Sequence, residues 1–302
     1  MYKVVLFVKS TTAKAVACAA LGNVFWGLSF LFIRVALTRV PDPNVMLAHR
    51  FTVSALLMLL PVLAGRVKIR LKGKDIKYLG GLVALQLSYF LFESYGILYT
   101  NATVSGLVLA LVPVVTVGTG MLFLREYPTR RQALFCLMPV AGVILMTVSG
   151  SELGVVTAVG LLFLGLTMLT SALSKTVNRM ASEQFSTYER TFCVLCGSAV
   201  VFNVIGLSRV DWQPEAFFAP LGDVRYVATV LCLCLLCSIA ANLMVNYASA
   251  KMSVFKVSSF GAMSTLTSTL AGVLVLGEPW SWALLLGGAL ILVGVRQVTR
   301  PK

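Results

Sequence analysis

In the stretch YFLFESYG, residues 89 to 96, Glu93 sets one carboxylate in a run that is otherwise apolar or aromatic. Apolar surroundings disfavour the charged form of a carboxyl group and a neighbouring cation favours it, so an acid poised between the two can take up and release a proton. Gln86, Tyr89 and Glu93 recur at i, i+3 and i+7, the spacing of one helix face. Asn242 and Asn246 continue from Ser238 at i+4 and i+8, and their amides are costly to bury and suited to a substrate's polar groups. His49 and Arg50 form an adjacent basic pair, and Trp26 sits far from the ends of its apolar run, where a cavity wall or plain packing would explain it. These eight residues, Glu93, Arg50, His49, Tyr89, Gln86, Trp26, Asn242 and Asn246, are the expected substrate and proton pathway. The plainer alternative is an Arg50–Glu93 pair that only locks two helices, with amides and hydroxyls gluing the rest. A further stripe, Thr167, Ser171, Ser174 and Asn178, is read as such glue.

The elements that must hold these groups follow from composition. The chain has 302 residues, 58% hydrophobic and 12% charged, with a mean hydropathy of +0.91. Soluble domains carry about 25% charged residues, so the composition is that of a membrane protein. Windows long and apolar enough for membrane helices predict ten spans: 15–37, 44–64, 77–99, 102–124, 130–149, 153–177, 187–207, 224–249, 254–276 and 280–298. Residues 208–225, with Trp212, Phe217 and Phe218 among charges, read as an interfacial segment. The N-terminal run through Cys18 continues past the length of a signal-peptide core and reads as an uncleaved first span.

With the N-terminus in the cytoplasm, nineteen of the 25 Lys and Arg fall on cytoplasmic segments: Lys3, Lys9 and Lys14; six from Arg66 to Lys77; Arg125, Arg130 and Arg131; Lys175 and Arg179; Lys251 and Lys256; Arg296, Arg300 and Lys302. Arg39, Arg209 and Arg225 lie outside. This asymmetry predicts cytoplasmic N- and C-termini in a plasma (inner) membrane. The net charge of +14 then marks topology and affinity for an anionic leaflet, with no nucleic-acid partner required. Within the spans a charged side chain costs about 2.5 to 3.5 kcal/mol and normally has a partner or a job. Arg34, His49, Arg50 and Glu93 meet that description, and Arg50 and Glu93 fall at equal depth, about 10 Å below the outer boundary. Equal depth makes them expected partners.

Shifting the chain by 152 residues aligns ESYGILYTNATVSG…LFLREYP with VNYASAKMSVFKVS…LVLGEPW, pairing Tyr95 with Tyr247 and Glu126 with Glu278. A shift of 140 pairs Arg50 with Arg190. Five spans per half force the second half to enter from the opposite face, so the expected fold class is an all-α polytopic membrane protein of two inverted five-helix repeats, 1–150 and 151–302. Glu93 meets Val245 in this alignment, so the acid belongs to one half only.

WGLSFLFIRVAL in the first span, ESYGILYTNATVSGLVLALVPVVT across the third and fourth, FLREYP at 123–128 and VLGEPW at 275–280 together resemble the drug/metabolite transporter superfamily, in its EamA-type branch. Thr265 stands where Pro113 of the first half would have its counterpart, a departure from that pattern. The resemblance implies export or exchange of amino acids or similar metabolites by alternating access, with proton coupling. The residues alone imply a polar path with one titratable acid and a small-molecule substrate, with no cofactor and no metal. A non-transporting scaffold or sensor is the alternative.

An intramembrane enzyme has little to work with. HExxH and GxSxG are missing, and His49 is the single histidine, which leaves no multi-histidine metal site. A nucleotide-driven pump would need a Walker A loop, also missing. The seven cysteines fall in predicted spans and read as small apolar residues, the CxxC of Cys193 and Cys196 included. Glu126, expected beside Arg125, Arg130 and Arg131, and Glu278 read as charges at helix ends.

Overall fold

A computed structural model describes residues 2–40, 42–99, 108–109, 111–148, 157–276 and 282–299. The NATVSG motif at 101–106, Glu278 with most of VLGEPW, and the Arg34 side chain lie outside the described residues.

Among the described residues the chain is helical throughout, without strands. The first half contains α1 (Tyr2–Leu37), α2 (Pro43–Leu63), α3 (Lys77–Leu98), α4 (Val112–Leu124), α5 (Arg130–Phe135) and α6 (Leu137–Val148). The second contains α7 (Ala158–Ala181), α8 (Thr187–Ser208), α9 (Pro214–Phe218), α10 (Val224–Lys251), α11 (Val254–Ser259), α12 (Gly261–Leu276) and α13 (Trp282–Thr299). Among the described residues, seven helices are long and apolar enough to cross a membrane: Ala13–Leu37, Pro43–Leu63, Ala158–Ala181, Thr187–Ser208, Val224–Lys251, Val254–Val275 and Trp282–Thr299. The 22-residue α3 carries Gln86, Ser88 and Glu93 among apolar residues.

Short polar residues set the helix starts. Asp42 Oδ1 accepts the Asn44 backbone N–H at 2.7 Å. Thr129 and Ser186 open α5 and α8 with capping boxes closed by Gln132 and Glu189, satisfying N–H groups that helix geometry leaves unpaired. At the start of α10, Asp223 accepts from the Arg225 and Tyr226 backbone N–H groups and lies 3.2 Å from Arg39. Those bonds, with Arg39 adding to them, hold its carboxyl below the ordinary carboxylate range. A depressed folded value means the cap is in place at neutral pH and is lost as pH falls through that value.

Laterally, α2 packs on α8, α3 on α7, α6 on α13, and α1 on α10 and α12, while α4 contacts α7 and α11. Close approach depends on glycine at two seams. A Cβ on Gly27 of α1 would lie 2.5 Å from the Ser264 carbonyl of α12, and one on Gly142 of α6 2.5 Å from the Gly287 carbonyl of α13. Backbone cannot step aside as a side chain can, and overpacking of this kind costs about 1 to 3 kcal/mol. Gly142→Ala is therefore expected to lower the melting temperature of the purified protein; an unchanged melt would show that the α6–α13 seam is looser than drawn.

The segment expected at the interface divides by residue. Trp212 and Phe218 are exposed, but Phe217 is buried and packs in the core shared by α2, α8 and α10. It anchors the segment from beneath, a correction to its reading as a surface aromatic.

Candidate functional site

On α3 the polar stripe forms as spaced. Tyr89 Oη donates to Glu93 Oε1 at 2.7 Å, and Gln86 Oε1 lies 3.5 Å from the Ser174 hydroxyl of α7. Arg50 does not join it. Its Nε donates to Ser238 Oγ of α10 at 2.7 Å, and its guanidinium lies 5.6 Å from the Phe51 ring centre. The expected Arg50–Glu93 partnership is thus replaced by two separate bonds. Equal depth leaves lateral direction free: Arg50 turns to the π-helical stretch Leu233–Ala240 of α10, while Glu93 is held by a tyrosine one turn back on its own helix.

The other expected pathway residues are dispersed. His49 is buried with its Nδ1 2.8 Å from Tyr226 Oη and its ring edge-on to Phe217, its centre 4.8 Å from that ring's, so it ties α2 to the α9–α10 corner. Trp26 is half-buried against the apolar cluster that contains Val245 and Val257. Asn242 donates to the Ser238 carbonyl of its own helix at 2.7 Å.

Asn246 has a larger role. Its Oδ1 accepts from Asn178 Nδ2 and its Nδ2 donates to Thr191 Oγ1, both at 2.8 Å. Arg190, fully enclosed, completes the cluster: Nη1 donates to Asn178 Oδ1 at 2.6 Å and to the Asn178 carbonyl at 2.9 Å, and Nη2 donates to the Asn246 carbonyl at 2.8 Å. A buried cation is solvated by amide and carbonyl oxygens of α7 and α10 instead of by an acid. Sequence reasoning used Arg190 only as the repeat partner of Arg50 and took Asn178 for glue. The available signal was an Arg four residues into an apolar run. In the rest of that stripe, Thr167 bonds back to the Phe163 carbonyl and Ser174 meets Gln86.

At the opposite end of α3 and α7 from Glu93, Glu126 pairs with Arg179 at 3.2 Å and accepts the Val254 backbone N–H at 2.7 Å. The expected company of Arg125, Arg130 and Arg131 is not what holds it. Arg125 ends α4 in a left-handed conformation (φ 53°), turning the chain so that the carboxylate faces α7 and the start of α11. An open cavity of about 390 Å³ adjoins this pair, lined by Arg179, Lys251 and Lys256 as well as Glu126 and Tyr127. Lys175 also departs from expectation. The seventh helix begins its cap only at Ser182, so Lys175 lies inside a span and not on the cytoplasmic segment assigned to it, with its Nζ 3.4 Å from Ser258 Oγ of α11. Besides the buried His49–Tyr226 and Arg50–Ser238 contacts, polar groups thus gather on the α3 face and in the α4–α7–α8–α10–α11 cluster.

Seven membrane-length helices among the described residues, with charged groups held among them, make this a multi-pass membrane protein. More narrowly, it belongs to the EamA-like transporter family, whose model matches residues 13–148 and 158–300. It is 31% identical over 292 residues to the uncharacterized transporter YcxC of Bacillus subtilis, covering 95% of this chain and 93% of that protein. An uncharacterized transporter of Archaeoglobus fulgidus is 24% identical over 284 residues, 94% of this chain and 98% of that one. A solved crystal structure shares the fold, with a TM-score of 0.78 at 16% identity, covering 94% of this chain and 96% of that one.

Proposed function

We propose that the protein is a proton-coupled secondary transporter that exports or exchanges a small polar or amphipathic metabolite such as an amino acid, by alternating access. In this reading it has ten spans in two inverted repeats, 1–150 and 151–302, in a plasma (inner) membrane with both termini cytoplasmic. The observation that carries the coupling is Glu93: an acid inside a helical bundle, bonded to Tyr89 and not to Arg50, on a face shared with Gln86. Such a carboxyl can gain a proton without breaking an ion pair.

The packing pattern supports the repeat. Exchanging the halves turns the α3–α7 contact into the α10–α1 contact and the α4–α7 contact into the α12–α1 contact, while α2–α8 and α6–α13 map onto themselves. Two halves related in this way can rock about a central site. Glu93, Tyr89 and Gln86 would face that site. Arg50, His49, Asn242, Asn246 and Trp26 would contribute by holding α1, α2 and α10 around it.

Reconstituted protein should exchange labelled amino acids or related metabolites across liposomes, with flux responding to an imposed pH gradient. No flux across the panel, and no shift in melting temperature with any member, would instead support a scaffold or sensor.

A further inference from the structure

We propose that Lys175 is the binding point for an anionic group of the transported molecule, so that the substrate carries a carboxylate. The inference rests on the transporter reading and deepens it.

Lys175 lies six residues before the end of α7, about 9 Å inside the span by helical rise. Its contact is also within a span and not at its end, since Ser258 is four residues, about 6 Å, into the Val254–Val275 helix. Helical side chains tilt toward the N-terminus of their helix, so a lysine near the C-terminal end is aimed into the bundle and away from the nearer surface. Snorkelling is therefore the unfavourable direction here.

A cation at this depth needs an anion for at least part of the working cycle. Among the described residues none supplies one. Glu126 is committed to Arg179 and the Val254 N–H, and Glu189 to Lys74 and the Arg70 N–H. The Gln86–Ser174 contact sets the register of α3 against α7, and Glu93 lies seven residues beyond Gln86, about 10 Å along the axis from the level of Lys175. The ammonium meets a single hydroxyl, Ser258 Oγ at 3.4 Å, which in turn lies 3.2 Å from Thr116 Oγ1. Hydroxyls can turn to donate to an incoming anion, and these two come from α4 and α11, which with Lys175 of α7 brings together helices of both halves. A carboxylate seated there would bridge the halves, and its departure would release them.

The test uses purified full-length wild type, Lys175→Met and Lys175→Arg, and a panel of amino acids and hydroxy acids, each with its uncharged amide. Without ligand, Lys175→Met is expected to melt at or above wild type, because it removes an unpaired interior charge. A marked loss that Lys175→Arg restores would identify a structural latch and overturn the proposal. With ligand, at least one carboxylate should stabilise wild type more than its amide. Lys175→Met should weaken that carboxylate at least tenfold, about 1.4 kcal/mol, and Lys175→Arg should retain most of the affinity. Wild type that shows no preference for any carboxylate, or Lys175→Met that keeps the preference, overturns the proposal. If Lys175→Met still transports the same carboxylate with unchanged KM, the transporter reading stands without this role; if wild type neither binds nor transports any member, both fall.

Discussion

Glu93→Gln is expected to abolish flux driven by a pH gradient while leaving exchange at equal pH on both sides largely intact. Glutamine keeps the size of the side chain and an oxygen that can accept from Tyr89, which now donates to Glu93 at 2.7 Å. It cannot ionise. A drop of at least tenfold in gradient-driven transport in proteoliposomes, about 1.4 kcal/mol of lost coupling, is the expected size. Tyr89→Phe should fall between, because it leaves the acid without its bonded partner but still able to titrate. Glu93→Gln protein that follows a pH gradient as wild type does would remove Glu93 from the proton path.

Arg190→Met is expected to be the most destabilising single change among the polar interior residues. The guanidinium is fully enclosed and makes three bonds of 2.6 to 2.9 Å to oxygens on α7 and α10. Hydrogen bonds to charged groups contribute about 1.5 to 3 kcal/mol each, and relief from burying the charge offsets part of that. A net loss of about 3 kcal/mol is expected in a denaturation titration. The contrast with Lys175 is instructive: one cation is richly solvated by the protein, the other meets a single hydroxyl at 3.4 Å, so removing them should move stability in opposite directions. Arg190→Lys should recover little, because one ammonium cannot fork to both Asn178 Oδ1 and the Asn246 carbonyl. Asn246→Ala should be non-additive with Arg190→Met, since both act on one network. Arg190→Met protein that unfolds with wild type would show that the amides alone hold α7, α8 and α10 together.

Much of the helical layout was legible beforehand. The predicted spans overlap helices over the residues described, seven of which are long and apolar enough to cross a membrane, and the Gln86–Tyr89–Glu93 face appears at the expected spacing, because helical periodicity is a property of consecutive residues. Errors came where a partner had to be named. Arg50 bonds Ser238, 188 residues away, and Glu126 finds Arg179 although three arginines lie closer in sequence. Phe217 and His49 meet at a corner that neither's neighbours announce. Lys175 was counted with the cytoplasmic charges although the 153–177 window already contained it, and the observed course of α7 to Ala181 places it deeper still.

The division has a physical basis. Hydropathy and the distribution of Lys and Arg are sums along the chain, and the bilayer responds to such sums, so membrane character and family resemblance could be read residue by residue. Which interior polar groups meet depends on how each helix is rotated and which helices lie beside it. That is decided by the packing of all the helices at once, including backbone approaches at Gly27 and Gly142 that no local pattern records. The sequence by itself determined that Glu93 sits on a polar helix face. Tertiary structure alone decided that Tyr89 holds it, that Arg50 does not, and that Arg190 is caged in oxygens while Lys175 lacks an anion.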